Sequence, residues 1–149
     1  MISLTLEYAL RAVVAIAQSG EAPCTAKRIS ETTEIPLPYL SKLMQGLVRA
    51  GIVSSQRGIH GGFLLAHDPK ELSIWDIAEV VDPVRRILEC PLKLRSHGIA
   101  LCPLHRRIDD ALAATEAVFR GTTVAELLAE AGAEGLFCET DDAPSKPKR

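Results

Sequence analysis

Over the first fifty residues, apolar side chains return every three or four positions, the period of helices that bury one face. Leu6, Leu10, Val13, Val14 and Ala17 predict a helix over residues 3–19, stopped by Gly20 and followed by a turn at 21–23. Thr25 has the side chain to cap a second helix, 26–34, with Ile29 facing inward. Pro36 and Pro38 then interrupt the pattern. A proline is tolerated at the first helical position, where its missing N–H would have had no partner. Pro38 therefore predicts the start of a third helix, 38–50. Its buried face is Leu40, Leu43, Met44, Leu47 and Val48, and its stop is Gly51.

Beyond Gly51 the period changes. Residues 52–56 and 62–66 predict two short strands joined through Arg57, Gly58, Ile59, His60 and Gly61. Ser73 and Asp76 have capping-box spacing. Ile74, Ile77, Ala78 and Val81 follow as a helix that Pro83 ends. No period is visible over 84–103. A helical stripe returns over 104–119 with Ile108, Leu112, Thr115 and Phe119. Thr123 and Glu126 make a second capping box for a short helix to residue 131. Residues 133–149 are polar and rich in Pro and Lys, which predicts a disordered tail.

Three helices followed by a hairpin is the order of a winged helix. The predicted fold class is mainly α with a small β-hairpin wing. A winged helix-turn-helix occupies 1–83, a cysteine-containing loop 84–103, a long helix and a short C-terminal helix 104–132, and the tail 133–149.

Charge sharpens this picture. The net charge of −2 argues weakly against a nucleic-acid partner. Its distribution argues the other way: residues 1–66 carry a surplus of two positive charges, and the remainder a surplus of four negative ones. A basic front and an acidic back suit a DNA reader carrying a sensing or pairing module. With aromatics at 4%, the core must be aliphatic. No secretory signal and no apolar run of membrane-spanning length are visible, so the expectation is a cytoplasmic chain with no membrane partner. Its cysteines are then thiols, ligands or redox sensors rather than structural disulfides.

A helix-turn-helix presents its second helix to the major groove. Here that helix opens with Pro38 and Tyr39, and its polar face continues with Ser41, Lys42, Gln45 and Arg49. Ser, Lys and Gln can bond base edges, whereas Arg49 at the far end suits the backbone. Thr25, Lys27 and Arg28 open the preceding helix, where backbone N–H groups would help them hold phosphate. Arg57 at the base of the wing suits the minor groove, Gly58 and Gly61 allow close approach, and His60 stands at the tip. Any one of these cations alone is better read as surface charge. The ordered set points to double-stranded DNA.

These residues resemble the Rrf-two family of bacterial regulators, the group that includes IscR, NsrR and CymR. The matching stretches are Glu7-Tyr8-Ala9-Leu10-Arg11, Ile35-Pro36-Leu37-Pro38-Tyr39-Leu40, Ala50-Gly51-Ile52-Val53 and the run from Arg57 through Gly61, Gly62 and Phe63 to Ala66. The likeness covers residues 1–130. It implies a homodimer paired through the long helix by Ile108, Leu112, Thr115 and Phe119, helped by Ala111 and Ala114. The other expectation is a stripe packed only within its own subunit. A two-fold dimer implies a near-palindromic operator, and repression is the expected mode.

The resemblance also implies an iron–sulfur cluster in the loop before that helix, two-iron–two-sulfur ahead of four-iron. The family pattern has three cysteines, each separated by five residues. Cys90 and Cys102 hold the outer positions, but the middle one is Ser96. His105 follows where relatives have a histidine ligand, His97 lies beside Ser96, and Glu7 occupies the position from which some relatives supply a carboxylate across the dimer. Mixed Cys/His ligation suits such a centre. The signal would be redox state, nitric oxide or iron. A cofactor-free loop, or a thiol switch between Cys90 and Cys102, is the close alternative. The spacing is not that of a zinc ribbon or finger. Cys24 reads as a buried or turn residue, and Cys138 as an incidental thiol.

No enzyme is expected. The chain has no phosphate-binding glycine loop, no dinucleotide fingerprint and no recognisable triad. A winged helix used only as a protein-interaction adaptor is the remaining alternative, because fold does not fix function.

Overall fold

A computed structural model describes residues 2–91, 101–132 and 137. Helix α1 (Leu4–Gln18) starts at Ser3, whose hydroxyl accepts the N–H of Leu6. Helix α2 (Ala26–Thr33) starts at Thr25, whose hydroxyl accepts the N–H of Arg28, and ends at Glu34, which lies in the left-handed region at φ 57°. Helix α3 spans Leu37–Arg49. It begins one residue before the predicted start: Pro36 is the cap and Pro38 the second helical residue. The shift costs nothing, because the first four N–H groups of any helix lack an internal partner. At its end Gly51, φ 75°, lets its own N–H reach Val48 O at 3.0 Å and the Ile52 N–H reach Leu47 O at 3.0 Å. That pair of bonds is a Schellman turn.

Strands β1 (Val53–Gln56) and β2 (Gly62–Leu65) form an antiparallel hairpin in which Val53 faces Leu65 and Gln56 faces Gly62. A feature absent from the sequence pattern joins it. Cys24 bridges to Phe63, with mutual N–H···O bonds of 2.9 and 2.8 Å. Gly62 permits this, since a Cβ there would lie 2.7 Å from the Cys24 carbonyl oxygen. The hairpin is therefore stitched to the segment that leads into α2.

Both capping boxes form, at Ser73/Asp76 before α4 (Ile74–Val81) and at Thr123/Glu126 before α6 (Val124–Ala131). Helix α5 spans Pro103–Gly121. The main core gathers Ala9, Val13, Ile16, Ile29, Ile35, Leu40, Met44, Leu47, Ile77 and Val124. Val124 places α6 inside the core of the winged helix, and Ser73 pairs with Thr123 as an isolated bridge. The division drawn at residue 104 thus marks no break in packing. A second cluster joins Leu6, Trp75, Ala78 and Phe119. Phe137 packs on the main core. The rest of the expected tail, with Cys138, lies outside the described residues, as do Ser96 and His97.

Candidate nucleic-acid interface and thiol–imidazole cluster

Helix α3 buries Leu40, Leu43, Met44 and Leu47, which turns its other face outward. Pro38, Tyr39, Ser41, Lys42, Gln45 and Arg49 are all exposed, as are Thr25, Lys27 and Arg28 at the start of α2 and Arg57, Gly58 and His60 in the wing; Gly61 is half-buried. Ser41, Gln45 and Arg49 line a groove of ≈ 490 Å³ whose other walls are Ala26 of α2 and Ser55 and Phe63 of the hairpin. The start of α2, one stripe of α3 and the wing thus share one surface. Among the described residues, no carboxylate lies within ion-pair distance of Arg28, Lys42, Arg49 or Arg57, while Lys27 meets Glu31 at 3.8 Å across an exposed helical turn. Cations without a carboxylate partner suit a polyanion.

Three site residues behave differently from a free reading head. Tyr39 is tied back to α1: its hydroxyl lies 2.7 Å from Thr5 Oγ1 and its ring meets Tyr8 edge-on at 5.4 Å. Ser41 donates its hydroxyl to Leu37 O at 2.9 Å, leaving its oxygen to accept. Lys42 lies on the opposite flank of α3 from the groove, beside Thr5, Tyr39, Gly46, Val80 and Val81.

The second constellation lies at the start of α5. Cys102 caps the helix position before Pro103, and His105 Nδ1 lies 3.3 Å from its sulfur and 3.8 Å from that of Cys90. Two thiols, fifteen and three residues from one imidazole in the sequence, thus lie beside it. Cys24, by contrast, is buried in the bridge to Phe63. Glu7 is engaged within its own chain by Arg11, whose guanidinium also donates to Thr33 O at 3.2 Å. Among the described residues, no three His, Cys, Asp or Glu side chains are spaced to hold a single metal ion. Thiol and imidazole are nonetheless the donor types that iron–sulfur centres use.

Residues 2–130 match a protein-family model described as Rrf2, iron-dependent transcriptional regulator. The chain belongs to the Rrf2 family. A putative HTH-type transcriptional regulator from Aquifex aeolicus is 31% identical over 127 residues, 83% of this chain and 88% of that one. Against other relatives the aligned stretch is shorter, 52%, 56% or 59% of their length. Several solved structures share the fold at more than 25% identity. T. potens IscR superposes with a TM-score of 0.72 at 30% identity and 88% coverage of both chains. CymR, the global cysteine regulator of B. subtilis, superposes at 0.73 with 26% identity, covering 87% of this chain and 97% of that one. This Rrf2 chain is thus a helix-turn-helix regulator of the IscR and CymR type, and the relatives' names are those of regulators, not enzymes. No helix among its described residues is long and apolar enough to cross a membrane.

The helix α5 stripe expected for pairing divides in this Rrf2 fold. Phe119 is only 7% exposed and belongs to a cluster within its own chain with Leu6, Trp75 and Ala78, and Leu112 is half-buried beside Leu6 and Val84. Ile108 faces out at 42%, together with two residues the stripe omitted, Leu104 at 65% and Val118 at 62%.

Proposed function

We propose that this chain is a homodimeric repressor. It reads a near-palindromic double-stranded DNA operator with α3 and the wing. Its DNA affinity answers to redox state, nitric oxide or iron through Cys90, Cys102 and His105. The observation that carries the DNA-reading part is the groove shared by α2, α3 and the hairpin, lined by Ser41, Gln45 and Arg49. Lys27 and Arg28 suit the phosphates beside it, and Arg57 with His60 the adjoining minor groove.

Pairing is supported by the outer face of α5. Leu104, Ile108, Ala111, Thr115 and Val118 follow spacings of four and three, the repeat that lets two helices lie along one another. Small Ala111 would bring the backbones close. Phe119 has no part in this seam, because its ring fills the intramolecular cluster.

An iron–sulfur centre would be held by Cys90, Cys102 and His105, with Glu7 of a second copy as the remaining donor. When bound, such a centre supplies electron transfer and reactivity toward oxygen and nitric oxide. The residues themselves present soft donors at the base of the pairing helix, where a change at the site is felt by both reading heads. A second reading rests on Ser96, which stands where the family pattern has a ligand cysteine. On that reading Cys90 and Cys102 act without cofactor, as a thiol pair.

The test is to purify the chain without oxygen, record its visible spectrum with iron and sulfide content, and titrate it onto its own promoter DNA at several salt concentrations. Salt-sensitive, palindrome-dependent binding by a dimer supports the regulator, since phosphate contacts release counterions. A brown protein selects the cluster, and a colourless one that binds DNA selects the thiol pair. Failure to bind DNA in every thiol and metal state would sink the proposal and favour a protein-interaction adaptor.

A further inference from the structure

Between α4 and residue 91 the chain has no helix or strand to hold it. Cys90 nonetheless lies within 3.8 Å of His105 on α5. One carboxylate supplies much of the docking. Asp109 accepts Arg86 Nε at 2.7 Å and Arg86 Nη2 at 2.6 Å, and it also accepts the backbone N–H of Ile87 at 2.9 Å. Arg86 Nη1 approaches Glu116 at 3.9 Å, and Glu116 in turn accepts Arg120 Nε at 2.8 Å. The Arg120 guanidinium lies 4.2 Å from the Trp75 ring of α4.

The spacing makes this more than a surface ion pair. His105 and Asp109 are four residues apart on α5 and so are neighbours on one face. Arg86 and Cys90 are four apart on the loop. The loop is therefore held at two successive points, Arg86–Ile87 on Asp109 and Cys90 on His105. The Asp109 side chain is 14% exposed, and its fork geometry is the bidentate kind that holds direction as well as distance. The hydrogen bonds from Arg86 hold the Asp109 carboxyl below its ordinary range, and the same bond raises the guanidinium.

The geometry points to Asp109 and Arg86 as the positioning pair that sets the Cys90–Cys102–His105 arrangement, and through it the ease with which the two thiols are bridged or ligated together. This rests on the proposal that the cluster is the sensing site. The partners of Asp109 and Arg86 described above are each other, the Ile87 amide and Glu116. Asp109 and Arg86 act by fixing where the Cys90 segment crosses α5.

The experiment uses the full-length, reduced, metal-free chain and dibromobimane, which bridges two nearby thiols and then fluoresces; the bridged peptides are mapped. In the wild type Cys90 is bridged to Cys102. Asp109→Asn and Arg86→Gln each slow that bridging by about five-fold or more, the size expected for a lost charge-assisted fork. The double variant is no slower than the slower single one, because both changes break one contact. Helix content by circular dichroism stays that of the wild type. Wild-type bridging rates in both folded variants overturn the positioning role while leaving the sensing site intact. Absence of any Cys90–Cys102 bridge in the wild type overturns the sensing site itself, whatever the variants do. Should a variant unfold, hydrogen exchange on the wild type decides. Protection of the Ile87 amide supports the clamp, and free exchange at that amide overturns it.

Discussion

The winged-helix head and helix α5 are built to opposite plans. In α1, eight of fifteen residues are buried, and α3 buries one complete face. On the head's surface Arg28, Lys42, Arg49 and Arg57 lack a carboxylate partner among the described residues. Helix α5 is longer, nineteen residues, yet buries only Phe119. Its carboxylates at 109, 110 and 116 are engaged by arginines, while Leu104, Ile108 and Val118 face out. The head packs much of α1 and one face of α3 into its core and leaves four cations open. The helix has paired its carboxylates and left an apolar stripe open. Open cations suit a polyanion and an open apolar seam suits a like helix, so the contrast itself separates the two kinds of partner.

The sharpest way to break that contrast is to set the buried side of α5 against its exposed side. Phe119→Ala should cost about 3–5 kcal/mol of folding stability, the range for truncating a buried phenylalanine. Chemical denaturation measures it. Glutamates at both Ile108 and Val118 should leave the fold intact. They should turn the dimer into a monomer by sedimentation and lower operator affinity by about a hundred-fold, ~2.7 kcal/mol. If Phe119→Ala dissociated the dimer without loss of stability, or the double glutamate chain stayed dimeric, the buried and exposed sides of α5 would have been assigned the wrong roles.

This division could not be drawn from the pattern of residues. Ile108 and Phe119 are eleven positions apart, about three helical turns, and so share nearly one azimuth. Periodicity reports azimuth, not what lies opposite at each turn. The C-terminal end of α5 meets Leu6, Trp75 and Ala78, while the N-terminal end meets no such cluster. The Cys24–Phe63 bridge was equally hidden, because two residues pairing across the chain leave no period. The Tyr39–Thr5 bond was hidden for the same reason. What was legible is local chemistry: the caps at Thr25, Ser73 and Thr123, the Gly51 stop and the hairpin boundaries each follow from a few adjacent residues. The approach of Cys90 and Cys102 to His105 was legible through family resemblance. The Arg86–Asp109 clamp that helps dock Cys90 was not.

Within the head, Arg57 is the next test. It is exposed at the end of β1, without a carboxylate partner among the described residues, and far in sequence from α5. Arg57→Ala should weaken operator binding by about 1–3 kcal/mol with the dimer unchanged. Equal affinity in a titration at fixed salt would remove it from the interface and leave α3 as the sole reader.

The smallest expected effect divides α3 itself. Gln45 lines the groove shared with α2 and the wing, whereas Lys42 faces the flank beside Thr5, Val80 and Val81. A side chain in the groove is placed to meet base edges, and one on the flank to meet the neighbouring backbone. Gln45→Ala should therefore change which base is preferred at one position of each half-site. Lys42→Ala should cost about 1 kcal/mol on every sequence alike and reduce the slope of log affinity against log salt by about one, the signature of one lost phosphate contact. If Lys42→Ala instead altered preference and left the salt slope untouched, the lysine would reach into the major groove. Helix α3 would then be rolled on the DNA toward its α1 side, away from the wing.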